Sequence, residues 1–175
     1  MKKRAAIYLD FEVDKLTRSI ENIVSGDSFQ TDITRLKFTD LKHTSKKNKW
    51  SFDWKYELQQ NDRDVYKLTI TNSPEIIQGL VSLTIRPGHV FMHLLESAPF
   101  NKGKNKVYNG VAGNLVAFAC NISFQNGNEG FVSFQSKTKL ITHYEKTLGA
   151  YHLGGNNMII ATDAAQTLVG KYFKT

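Results

Sequence analysis

The chain has 175 residues, a formal charge of +7, and 41% hydrophobic against 22% charged residues. These values exclude disorder, collagen and coiled coil as whole-chain descriptions, and the length predicts one domain over 1–175 with a core that needs no staples. The lone cysteine, Cys120, excludes a disulfide framework and a cysteine-based zinc site. No stretch approaches the roughly 18 uncharged apolar residues of a membrane span, so no membrane partner is expected. The basic start at Met1–Arg4 soon meets Asp10, Glu12 and Asp14, which argues against a signal peptide and makes a cytoplasmic protein the default expectation.

In chain order, Asp14 to Ser25 predicts a helix, because Leu16, Ile20, Ile23 and Val24 recur at helical spacing and Gly26 can stop it. Thr31 to His43 predicts a strand, followed by a basic loop to Lys49. Phe52, Trp54, Tyr56 and Leu58 alternate with polar residues and predict a second strand with one wet face. Val65 to Ile70 predicts its return. Ser73 and Pro74 signal a short helix, ended by Gly79. Leu80 to Arg86 alternates again, Pro87 and Gly88 turn the chain, and His89 to Glu96 is an apolar run that predicts a strand buried on both faces.

The period then changes. Val111, Leu115, Phe118 and Ile122 predict an amphipathic helix from about 110 to 124. Phe131 to Gln135 predicts a strand, and Leu140, Ile141, Tyr144 and Leu148 a helix ended by Gly149. Met158 to Ala161 predicts a further strand and Ala164 to Tyr172 a last helix. The order predicts an α+β fold: a mixed, mostly antiparallel twisted sheet flanked by helices, with 1–86 forming its antiparallel part and 87–160 a strand–helix–strand core.

The segment most suggestive of chemistry follows the buried strand. A loop carrying Lys102, Lys104 and Lys106 opens into the helix at Gly110. Free N–H groups at a helix start attract phosphate, and Gly110 and Gly113 would let a ligand approach the backbone. The acid-poor second part of the chain adds to that field. After residue 75 there are nine Lys or Arg residues and only four acids, Glu96, Glu129, Glu145 and Asp163. Neither a P-loop nor a G-x-G-x-x-G pattern is present.

This segment resembles the acetyl-coenzyme A site of the GNAT family of N-acetyltransferases. Gly110-Val111-Ala112 matches the end of the family's Q/R-x-x-G-x-G/A signature, with Val107 at the Q/R place and Lys106 beside it. Glu96 to Pro99 resembles the end of the family's fourth strand. The stretch from His143 through Tyr144, Glu145 and Lys146 to Gly149 resembles its Y-E-K-x-G-F helix end, with Ala150 where a phenylalanine is common.

The resemblance implies a splayed pair of fourth and fifth strands. It implies acetyl-CoA as co-substrate, held by the backbone at Leu95, Glu96 and Ser97, by Lys106, and by the loop and helix start at Tyr108, Asn109, Gly110, Val111, Ala112, Gly113 and Asn114. It further implies Tyr144 as general acid to the departing thiolate, Glu96 as candidate base, and an amine acceptor attacking the thioester directly. An aminoacyl-tRNA acceptor, suited by the +7 charge, and a non-catalytic acyl-CoA-binding module are the alternatives, and a homodimer is left open. His89 and His93 are lesser candidates for the base. The five histidines lack zinc-ligand spacing, so no metal is expected.

Overall fold

The structure, a computed structural model, describes residues 7–17 and 19–173; the basic start read at Met1–Arg4 lies outside them. Its elements in chain order are β1 (Ile20–Asn22), β2 (Ser28–Phe29), β3 (Thr31–Arg35), α1 (Trp54–Gln59), β4 (Asp64–Ile70), β5 (Ser73–Arg86) and β6 (His89–Ser97). Then follow β7 (Tyr108–Asn109), α2 (Val111–Gln125), β8 (Val132–Gln135), α3 (Ile141–Leu148), β9 (Tyr151–His152), β10 (Asn157–Ile160) and α4 (Thr162–Tyr172). Seven strands form the main sheet in the order β3-β4-β5-β6-β8-β10-β9, and a small sheet joins β2, β1 and β7. All pairings in the main sheet are antiparallel except β6 with β8. The expected mixed, mostly antiparallel sheet is therefore present.

The elements from 80 onward follow the sequence pattern closely. β6 alternates between fully and partly buried residues up to His93, then buries Leu94, Leu95 and Glu96 in succession. α2 follows with ten buried residues out of fifteen, because it lies against β5 and β6 on one side and α4 on another. Gly79 makes that approach possible: a Cβ there would meet Val111 Cγ1 at 2.7 Å and Leu115 Cδ1 at 3.0 Å.

Four expectations from the first half fail. Asp14 to Ser25 is not a helix. Residues 14–17 and Ser19 are irregular, β1 follows and buries Ile20, and Val24 beyond it is 96% exposed. Pairing of Glu21 and Asn22 with β7 outweighs a helical spacing that only Ile20 and the half-buried Leu16 use for packing. The strand expected over Thr31–His43 ends at Arg35, and Phe38–His43 forms a 3₁₀ turn.

Of the alternating apolar residues at 52–58, Trp54, Tyr56 and Leu58 belong to α1, and Phe52 precedes it. Asp53 accepts a hydrogen bond from the Tyr56 N–H at 3.0 Å as its N-cap, and Trp54 and Glu57, one turn apart, are the buried positions. Ser73 and Pro74 begin β5 instead of a helix. Ile70 pairs with Ser73 and Thr69 with Ile77, so Pro74 falls in an irregular bulge of the ladder, where its missing N–H costs no strand bond.

The feature that positions the site is the junction of β6 and β8. These parallel neighbours pair only at Val90 with Val132 and Phe91 with Ser133. Beyond that point β6 carries an extra residue, His93, since Met92 and Leu94 face the adjacent Leu83 and Ser82 of β5. Such a bulge bends a strand away from its partner. β6 then runs on to Ser97 with no strand on its second edge among the described residues, and the expected splay opens there.

Candidate functional site

The splay holds a cavity of about 550 Å³. One wall is β6 at Leu95, Glu96 and Ser97. The roof is the loop Asn101–Lys104 with Lys106, and the opposite wall is Asp10, Phe11, Glu12 and Asp14 from the start of the chain. Three cations therefore face three acids across the space. Among the described residues Lys106 pairs with Asp14 at 3.0 Å, Lys102 with Glu96 at 2.6 Å, and Asp10 with Lys137 at 2.6 Å. Lys104 and Glu12 have no such pairing there.

Glu96 is 2% exposed, and its carboxylate accepts four hydrogen bonds. The donors are Ser51 N at 2.7 Å, Phe52 N at 3.3 Å, Trp54 Nε1 at 2.9 Å and Lys102 Nζ at 2.6 Å. Those bonds tie the approach to α1 and the lysine loop to the end of β6. With four donors on it, the carboxylate has its hydrogen-bonding positions taken up by the protein itself.

Tyr144 lies in α3, fully buried, with its ring against Phe11 at 4.8 Å and Phe134 at 5.4 Å between centroids. Its hydroxyl donates to the Phe11 carbonyl at 2.6 Å. Burial first, and Asp10 second, push the phenol upward, so it stays protonated throughout the neutral range.

Of the residues expected to hold a cofactor, Leu95, Glu96, Ser97 and Lys106 come together at the cavity. Tyr108, Asn109, Gly110, Val111, Ala112, Gly113 and Asn114 do not line it. Tyr108 and Asn109 form β7 against β1, with the Tyr108 ring edge-on to Phe29. Gly110, at φ +93°, caps α2, and a Cβ there would collide with the Thr17 hydroxyl and the Ser19 carbonyl. Val111 to Asn114 are buried in α2, and Asn114 donates to the Thr31 hydroxyl at 3.0 Å. The glycines expected to admit a ligand thus admit other parts of the chain: Thr17 and Ser19 at Gly110, Leu16 and Tyr172 at Gly113.

His93 accompanies Phe91 on the partly buried positions of β6 and meets the Thr84 hydroxyl at 2.6 Å. Burial, then Arg63 and Arg86, lower its pKa to about 4. Cys120 is buried in α2, its thiol pushed up to about 12 by burial. Among the described residues no cluster of three or more His, Cys, Asp or Glu could hold a metal ion, and no helix is long and apolar enough to cross a membrane.

The acidic wall is what sequence reasoning missed. Its signal was strict alternation: Leu9, Phe11 and Val13 are buried, while Asp10, Glu12 and Asp14 face the cavity. In the sequence Lys102 and Lys104 read only as charge beside the loop; the structure puts both on the cavity.

No protein-family model matches the sequence, and no curated protein matches it. Solved structures match the fold. Spermidine/spermine N-acetyltransferase SpeG from Vibrio cholerae, in complex with manganese ions, is 18% identical at a TM-score of 0.55, over 79% of this chain and 95% of that one. The ribosomal-protein-S18-alanine N-acetyltransferase from Escherichia coli is 12% identical at 0.52, over 75% and 90%. A mutant of the toxin AtaT bound to the C-terminus of the antitoxin AtaR is 16% identical at 0.54, over 79% and 96%. The chain has the fold of the GNAT N-acetyltransferases.

Proposed function

We propose that the protein transfers an acetyl group from acetyl-CoA to a primary amine. The observation that carries this reading is the open second edge of β6 beyond Phe91, lining a 550 Å³ cavity beside Lys102, Lys104 and Lys106. Unpaired strand backbone offers alternating donors and acceptors to an amide-bearing arm such as pantetheine. Lys104, and Lys106 once Asp14 releases it, offer positive charge to its phosphates, while Lys102 stays on Glu96. On the β6 side the residues therefore suit the co-substrate. At the α2 start they suit it only when Asp14 is elsewhere, because Asp14 takes the Gly110 N–H at 3.1 Å.

When bound, acetyl-CoA would supply the activated thioester. The residues of this chain would do the rest. Leu95 to Ser97 would align the arm, and Lys106 and its neighbours would neutralise phosphate charge. Glu96 would keep Lys102 and the Ser51–Trp54 segment against β6. Tyr144 remains our candidate proton donor, its phenol being held protonated; the Phe11 carbonyl must release it first. Glu96 can take a proton only after giving up a donor, which makes water an equal candidate for that step. The structural neighbours are named for spermidine, spermine and a ribosomal-protein alanine, all amines, and an amine is the acceptor class proposed here.

The test is calorimetric titration of acetyl-CoA and coenzyme A into the wild-type protein and into Asp14→Ala, followed by an amine screen read by thiol release. Binding in the micromolar range with acceptor-dependent thiol release is expected. Failure of both proteins to bind either ligand would overturn the reading.

A further inference from the structure

The segment from Leu9 to Thr17 precedes the first strand of the main sheet and is held by a series of single contacts. The Leu9 N–H donates to the Gln135 carbonyl at 2.7 Å, and the Lys137 N–H donates to the Leu9 carbonyl at 2.9 Å. Leu9 thus sits beside Ser136 as a short parallel extension of the β8 edge. Two residues on, the Phe11 carbonyl takes the Tyr144 hydroxyl. The Val13 N–H then donates to His143 Nε2 at 2.9 Å. Next, Asp14 places one oxygen 3.1 Å from the Gly110 nitrogen and the other 3.0 Å from Lys106 Nζ. Finally the Thr17 N–H donates to the Tyr172 hydroxyl at 3.0 Å, and the Thr17 side chain covers Gly110.

Of these anchors Lys106 lines the cavity itself, and the Gly110 N–H lies at the start of α2 beside it. The path starts on the strand that has parted from β6, crosses the splay, and ends with a carboxylate on the first turn of the fifteen-residue α2. A carboxylate held by a helix-start N–H and a lysine uses the donors a phosphate oxygen would use. One N–H hydrogen atom cannot serve both.

We propose that residues 9–17 are an intramolecular occupant of the acyl-CoA cleft, with Asp14 standing where a phosphate of the ligand would bind, so that the ligand and this segment exclude one another. The inference rests on the acetyl-CoA reading above and adds its regulation. The segment is suited to leaving. Among the described residues it has ladder bonds to β8 only through Leu9, and the rest of its hold is dispersed over single side chains. Its departure breaks no pairing within the seven-stranded sheet. It also frees the Tyr144 hydroxyl and the Gly110 N–H together, so cleft opening and release of the candidate acid are one event.

The decisive measurement is amide hydrogen exchange on the wild-type protein with and without saturating coenzyme A. A ligand that only fills space slows exchange around it. Here the amides of Leu9 and Val13 should exchange at least about 10-fold faster with coenzyme A bound, while those of β5 and β6 slow. Calorimetry supplies the second arm. Asp14→Ala should bind coenzyme A about 10-fold or more tightly than wild type, the scale of losing a competing charged hydrogen-bond pair. Asp163→Asn, which changes net charge equally at the β9 edge of the sheet, should stay within about twofold. Coenzyme A binding with residues 9–17 still protected overturns the gate and leaves the acetyl-CoA reading standing. Absence of binding to wild type and Asp14→Ala alike overturns both. Binding to Asp14→Ala alone supports the gate. Should Asp14→Ala fail to fold, the exchange experiment on wild type decides.

Discussion

β6 and the 9–17 segment face each other across one cavity and are held by opposite means. β6 is laddered to β5 over its whole length and buries Met92, Leu94 and Leu95 at 1–2% exposure. The facing segment buries Leu9, Phe11 and Val13 almost as deeply, at 1%, 8% and 4%. Its backbone, however, is satisfied mostly by single partners: a tyrosine, a histidine, a carbonyl. Burial alone does not distinguish a wall from a door. The difference lies in how many other contacts must break when the element moves, and that is what sets local opening energies.

The comparison breaks first at the hydrophobic contacts. Leu94→Ala in β6 should cost about 3 kcal/mol of global stability, the usual price of a buried Leu-to-Ala cavity. Phe11→Ala removes a larger side chain, yet it should cost no more than about 2 kcal/mol in global unfolding, because the segment can detach before the sheet does. Proteolysis within residues 9–17 should rise sharply in Phe11→Ala and not in Leu94→Ala. Equal losses of global stability, with no change in cleavage, would make the two walls equivalent.

Glu96 sharpens the picture of the β6 wall. Glu96→Ala orphans two backbone N–H groups, the Trp54 indole and Lys102, and should cost about 3 kcal/mol by urea denaturation. Glu96→Gln keeps an acceptor oxygen and should cost less. A neutral outcome for Glu96→Ala would mean that Ser51–Trp54 needs no such anchor.

The pH dependence follows from His93 on the same strand. Its folded pKa, about 4, lies below the ordinary histidine value of about 6.5. The unfolded chain therefore takes up a proton that the folded protein refuses. Stability is fully present above pH 6.5, falls as pH drops from there toward about 4, and then levels off. After discounting for partial solvent access, the loss should be about 2 kcal/mol. His93→Gln should flatten this part of the profile. An unchanged profile in that variant would place the acid sensitivity elsewhere.

The smallest stability effect is expected for Tyr144→Phe, about 1 kcal/mol, since only the bond to the Phe11 carbonyl is lost. If the phenol donates a proton during transfer, kcat should nevertheless fall by roughly 10²- to 10⁴-fold. The acetyl-CoA KM should change little or fall slightly as the segment loosens. Full kcat in Tyr144→Phe would return the acid role to water. Gly110→Val, by contrast, would strike Thr17 and Ser19, so it tests the docking of the chain's own first residues before any ligand.

The sequence by itself determined the strand–helix–strand core. His89–Ser97, Val111–Gln125 and Val132–Gln135 are long or apolar enough that one period dominates, and Gly88, Gly110 and Gly130 punctuate them at positive φ. It also placed Leu95, Glu96, Ser97 and Lys106 in one neighbourhood, because they end one strand or lie in the loop after it. Only the tertiary structure decided the rest. Pairing with β7 drew Ile20–Asn22 into a strand, the N-cap at Asp53 bent an alternating stretch into α1, and a bulge absorbed Pro74. The occupant of the cleft was hidden for the same reason. The side-chain contacts that hold Phe11, Val13 and Asp14 to Tyr144, His143, Gly110 and Lys106 span 92 to 133 residues along the chain. Local spacing reports which face of a segment is apolar; it carries no record of which distant surface that face will meet.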